Sequence, residues 1–142
     1  MGENHMRHTR LALFIAVTFL IATAAWSRED KLTNTGVAPA AQGKILTSTD
    51  SNGNTVVEVK VQHLATPQSL TPPQQTYLVW VRPRGEQADL LGALRVDSDS
   101  LNGTYKGTTT YKDFDVIITA ENNIKADVPS NMVILKGTVE RK

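Results

Sequence analysis

The chain has 142 residues, 40% of them hydrophobic and 20% charged, close to the averages for one ordinary globular domain. Its 15 basic and 14 acidic residues leave a net charge of +1, and the part after residue 25 carries 13 of each, so a basic face that tracks phosphates is not expected and nucleic acid is set aside as a partner. Cysteine is absent, which excludes disulfides, thiolate metal sites and a thiol nucleophile.

Residues 1–25 read as an export segment. His5, Arg7, His8 and Arg10 precede the apolar run from Leu11 to Ala25, and the charged Ser27-Arg28-Glu29-Asp30 follows. As a helix that run reaches only about 22 Å against a hydrocarbon core of roughly 30 Å, which favours a cleaved signal over a membrane span. Ala22-Thr23-Ala24 supplies the small residues for a cut near Ala25. The alternative is an uncleaved anchor extended through Trp26, a residue suited to the membrane interface. The remainder is thus expected to be periplasmic or secreted, or else held at the inner membrane with the domain outside the cytoplasm. Residues 26–42 are polar, small and Pro-containing, and read as a flexible tether. The folded domain is then 43–142.

Within it the sequence predicts short strands over 43–48, 55–64, 76–82, 89–96, 104–111, 114–120 and 132–140, with helices limited to single turns. Asp50, Asn52, Gly53 and Asn54 separate the first two strands, after which Val57, Val59 and Val61 alternate with Glu58, Lys60 and Gln62, the pattern of a hairpin with one wet face. The strand around Thr76-Tyr77-Leu78-Val79-Trp80-Val81 is apolar on both faces, which suits a central strand; parity leaves open which face looks inward. Leu90, Gly92, Leu94 and Val96 share a face, as do Phe114, Val116, Ile118 and Ala120, and Val133, Leu135 and Val139. About seven amphipathic strands joined by short turns predict an all-β, two-sheet antiparallel sandwich of immunoglobulin-like kind. Its expected core includes Val79, Trp80, Leu94, Val116, Ile118 and Leu135, with the Trp80 indole between the sheets.

The order of these strands and turns resembles the extracytoplasmic C-terminal domain of anti-sigma-K factors. Tyr77, Trp80, Gly92, Gly103, Thr119, Glu121, Pro129, Ser130, Leu135 and Gly137 carry the similarity, which extends over about residues 43–141. The segment Asn122 to Asp127 stands where that family has a Gly-rich stretch. Only Met1 to Arg10 precede the apolar run, too few residues for a sigma-binding domain, so the resemblance implies the outer, sensor-like or partner-binding module standing alone.

Catalytic chemistry finds little support. His63 is the only histidine beyond the export segment, no G-x-S-x-G elbow exists, and a lone histidine at a strand end is usually structural, so neither catalysis nor metal binding is assigned to it. The turns containing Asp50 and Asp97 offer oxygens at alternate positions but lack the order and the closing glutamate of a calcium loop, and read as Asx turns. No catalytic residue, cofactor or metal is expected. Tyr105, Thr109 and Tyr111 share one face of a Thr-rich strand with an accessible edge and are the candidate partner-binding residues, against the plainer reading of an edge strand guarded by Lys106 and Lys112. The expected function is an exported, non-catalytic binding or sensing module, its partner an envelope protein; the alternative is an adhesion or glycan-binding domain.

Overall fold

The computed structural model describes residues 27–141. The expected export segment, 1–25, lies outside the described residues, which form eight strands: β1 (Arg28–Asn34), β2 (Gln42–Thr49), β3 (Thr55–Gln62), β4 (Thr76–Pro83), β5 (Asp89–Val96), β6 (Gly103–Thr109), β7 (Phe114–Glu121) and β8 (Val133–Val139). A single 3-10 turn, Pro67–Ser69, is the one helical element among the described residues. The described residues are all-β.

The expected sandwich is corrected to a closed antiparallel barrel with the strand order β1-β2-β3-β6-β5-β4-β7-β8, β8 returning to β1. Two strands make the difference. Along β1, Arg28–Leu32 pairs with β2, then Thr33 and Asn34 pair with β8. β5 lies along β4 and reaches β6 only through Arg95↔Thr104 and Val96↔Gly103. Each strand carries one wall of the barrel over to the other.

β1 also corrects the tether reading of residues 26–42. Its single large apolar residue, Leu32, is buried in the core, while the edges of β2 and β8 supply the backbone partners that an extended polar segment needs. The turn that follows is tied down as well. The Asn34 amide donates to the carbonyls of Ala38 and Ala41, both at 2.8 Å, and both alanines are buried.

The barrel has two unlike ends. The near end holds Ser27, Arg141 and the turns 50–54, 84–88 and 110–113; the far end holds the connections 35–41, 63–75, 97–102 and 122–132. Both crossing seams, β1/β8 and β5/β6, are paired toward the far end and unpaired toward the near end. The far end is closed by 63–75, where the Leu64 amide donates to the Leu101 carbonyl at 2.9 Å and Leu64, Pro67 and Leu70 are buried.

Inside the barrel, Tyr77, Val79 and Val81 of β4 meet Val57, Val59 and Val61 of β3, together with Leu94, Val116, Ile118 and Leu135. Trp80 is fully buried too, but on the outer face of β4, where it forms a second cluster with Leu78 and Ile117 against Ala93, Ala126 and Val133. The indole therefore does not fill the interior as expected. It supports the 122–132 connection from below: its Nε1 donates to Thr119 Oγ1 at 2.8 Å, Thr119 donates to Glu121 Oε1 at 2.7 Å, and the Ser130 amide donates to the same oxygen at 2.7 Å.

β5 departs from its expected alternation as well. Opposite β4, Val79 pairs with Gly92 and Trp80 with Leu90, so Leu91 is the extra residue of a β-bulge. Leu91 joins the interior cluster, Leu90 turns outward, and Asp89 falls into phase with Val81.

Candidate functional site

Tyr105, Thr109 and Tyr111 are not on an exposed face. β6 pairs residue for residue with β3, and Gly103, Tyr105, Gly107 and Thr109 oppose the buried Val61, Val59, Val57 and Thr55. The shared face that the sequence predicts is therefore the lining of the barrel where β5 and β6 part. The Tyr105 ring lies between two glycines: a Cβ on Gly92 would stand 2.9 Å from Tyr105 Cε2, and one on Gly107 would overlap the Tyr105 hydroxyl. Only residues without a side chain leave room for the ring there. At the near end the Tyr111 phenol donates to Asp89 Oδ2 at 2.6 Å, and the Thr55 hydroxyl donates to the Tyr111 carbonyl at 2.7 Å. Both rings are half-buried against the interior cluster.

These environments all favour the neutral phenol. Burial raises Tyr105; the hydrogen bond to Asp89 raises Tyr111, with further contributions from burial and from the Asp89 and Glu86 charges; burial pushes Tyr77 up to about 12, its hydroxyl donating to the Ala65 carbonyl at 2.6 Å. A folded-state value above the unfolded one, about 10 for tyrosine, contributes stability that is complete below pH about 10 and lost as pH rises toward 12. Since these are the chain's three tyrosines, phenolate absorbance in an alkaline titration will rise later than that of free tyrosine, with Tyr77 ionising only near pH 12 or as the fold is lost. A separate phenolate step near pH 10 with the fold intact would show that Tyr105 or Tyr111 is freely solvated.

The other candidate chemistry is dispersed. His63 is exposed and has φ of 54°, a left-handed kink that turns its side chain out and places Leu64 in the core, which breaks its phase with Val57, Val59 and Val61. Asp50 Oδ1 accepts from the amides of Asn52 and Asn54 at 2.9 and 2.8 Å, and Asp97 Oδ1 accepts from those of Asp99 and Ser100 at 2.8 and 3.0 Å. Backbone donors, Asn54 first for Asp50 and Ser100 first for Asp97, hold both carboxyls below the usual range. The turn oxygens are thus occupied by the turns themselves. Among the described residues no group of three or more His, Asp or Glu could hold a metal.

Besides a depression of about 380 Å³ over the β1/β8 seam, lined by Lys31, Thr33, Thr35, Lys136, Gly137 and Thr138, two others lie at the ends of the barrel. One, of about 380 Å³, lies at the near end and is lined by Arg82, Arg84, Asp115 and Glu140 among others. Four of its charged residues form ion pairs, Arg82 with Asp115 at 3.0 Å and Arg84 with Glu140 at 2.9 Å, and Glu86 and Asp113 also line it. Burial pushes the Asp115 carboxyl up, but hydrogen bonds from Arg82 and Thr138 outweigh it and leave the group below its ordinary value.

The second depression, of about 450 Å³, is at the far end, lined by Val37, Thr71, Pro72, Gln74, Ser130 and Met132 among others. Around it the surface changes character. Among the described residues, the exposed large hydrophobic side chains Val37 (40%), Leu101 (36%), Ile124 (59%) and Val128 (62%) all sit on far-end connections, and only Leu90 does not. The segments 35–41 and 63–75 carry no lysine, arginine, aspartate or glutamate. Sequence reasoning missed this surface because Val37 lay in the presumed tether and 122–132 has no periodicity to read.

Comparison of the chain with family models, with curated proteins and with solved structures finds no match in any of the three.

Proposed function

We propose that the chain is a non-catalytic binding module, exported to the periplasm or secreted, that recognises an envelope protein through the far end of its barrel. The observation that carries this reading is the partition of the surface. The ion pairs Arg82–Asp115 and Arg84–Glu140 lie at the near end, whereas four exposed aliphatic side chains, Val37, Leu101, Ile124 and Val128, sit on far-end loops, and Val37 lines the shallow groove there. Clustered exposed apolar side chains mark interaction surfaces in soluble domains. The resemblance to the outer domain of anti-sigma-K factors points to the same class, a sensor-like module outside the cytoplasm. The glycan alternative leaned on an open Tyr105 and Tyr111 face, and both rings are half-buried in the β5/β6 seam.

The test uses the producing cell's envelope extract, with purified protein as bait and a double variant, Val37→Asp with Val128→Asp, as control. Both positions are exposed, so the unfolding midpoint should move little. A protein retained by the wild type and reduced tenfold or more by the variant is the expected result, since a central apolar contact is worth roughly 2 kcal/mol or more. Equal retention by both forms defeats the far-end assignment. Retention of polysaccharide without protein would instead favour adhesion.

A further inference from the structure

The partly open β5/β6 seam carries an inference independent of the far-end loops. Toward the near end no ladder joins Asp89–Leu94 of β5 to Tyr105–Thr109 of β6, while on the other side β6 is paired throughout with β3 and β5 is paired with β4 except at the Leu91 bulge. Strand edges of this kind hold backbone donors and acceptors at a spacing that another extended backbone matches. Of the two edges, β5 is interrupted by the Leu91 bulge, whereas β6 keeps regular register with β3 from Gly103 to Thr109 and contains no proline.

We infer that the β6 edge of the β5/β6 seam accepts an extended segment of a partner protein as an added strand, as long as Tyr105–Thr109 and antiparallel to β6. Backbone hydrogen bonding selects the occupant, because a sugar or a small metabolite does not present amide groups at strand spacing. The side chains around the seam set its composition. Inward positions of the added strand meet Leu91, the Tyr105 ring and Gly107, and so take aliphatic or β-branched residues. Outward positions run beside the exposed Thr104, Lys106 and Thr108, with Lys106 supplying a cation for one acidic residue.

Two devices keep the seam filled in the free protein: the Tyr105 ring lying against Gly92 and Gly107, and the Tyr111 phenol tied to Asp89 across the near end. Both must move when a strand enters. Tyr111→Phe removes the second tie and leaves the ring in place, so it should bind the same peptide more tightly, by about tenfold for the loss of a charge-assisted hydrogen bond.

The probe is a synthetic seven-residue peptide alternating valine with threonine and glutamate, with a second version N-methylated at alternate residues as control. Amide hydrogen exchange of wild-type protein is the readout. In dilute free protein the seam-facing amides of Tyr105–Thr109 should exchange far faster than those of Val57–Val61. Millimolar peptide should slow them at least tenfold, the N-methylated version should not, and Tyr111→Phe should reach the same protection at lower peptide concentration. Slow exchange of these amides already in dilute free protein, no slowing by millimolar peptide, or equal slowing by the N-methylated version overturns the inference. Protection that grows with protein concentration alone, together with a doubled mass, also overturns it and assigns the edge to a second copy of the chain.

Discussion

Replacing Trp80 with alanine will lower the unfolding free energy by about 3–5 kcal/mol, the range for removing a large aromatic from a packed site. The side chain is fully shielded although it lies outside the barrel, because Leu78 and Ile117 flank it and the 122–132 connection, through Ala126, covers it. The alanine variant also strands the Thr119 hydroxyl, which accepts from the indole and donates to Glu121. Trp80→Phe keeps most of the apolar area and loses the indole donor, so it should cost about 1–2 kcal/mol. The placement on the outer face has a signature of its own. In Trp80→Ala, hydrogen exchange should accelerate in 122–132 more than in β3, whose Val57, Val59 and Val61 line the interior. A loss below about 1 kcal/mol, typical of surface sites, would mean that the cover over the indole is not closed in solution.

The second large effect concerns the segment expected to be a tether. A chain beginning at Thr35 loses β1, and with it the Leu32 side chain that lies against Gly43 and Gly137: a Cβ on either glycine would stand within 2.8 and 3.0 Å of its methyls. Burial of one leucine is worth roughly 1.5–3 kcal/mol. Losing β1 also uncovers the edges of β2 and β8 and leaves Ile45 and Leu135 facing a gap. The combined loss should reach about 5 kcal/mol, comparable to the whole stability of a marginal domain. The truncated protein is expected to lack a cooperative melting transition and to associate through its new edges. Leu32→Ala in the full chain should cost about 2–5 kcal/mol. If the truncated chain melts like the full one, β1 is a tether after all.

Why one strand escaped the sequence reading while seven were legible comes down to what each strand buries. Val57, Val59 and Val61, or Phe114, Val116 and Ile118, advertise their inner face by alternation alone. Arg28–Asn34 offers the core Leu32 and little else, since its place is set by backbone pairing with the neighbouring β2 and, at Thr33 and Asn34, with the distant β8. Closure itself has no local signature, which is how a sandwich came to be read where a barrel stands. Alternation also grouped Tyr105 with Thr109 and Tyr111 without telling lining from surface, and it could not foresee the bulge that exchanges Leu90 for Leu91. For the candidate binding surface the signal was weaker still. Val37, Ile124 and Val128 stand apart in the chain, and only the shared far end brings their connections together.

The β1/β8 seam joins Thr33 of the first described strand to Lys136 of the last. Loop-closure entropy makes such a pairing slow, and it cannot form before β8 exists as a strand. During synthesis the β2-β3 hairpin can form early, but β8 follows the other seven described strands, so they remain an open sheet with a bare β1 flank until β8 is made. A ring that shuts only when β8 meets β1 leaves the flank of the open sheet available to other chains for as long as closure is delayed, so the slowest step of folding is also the one most exposed to misassembly.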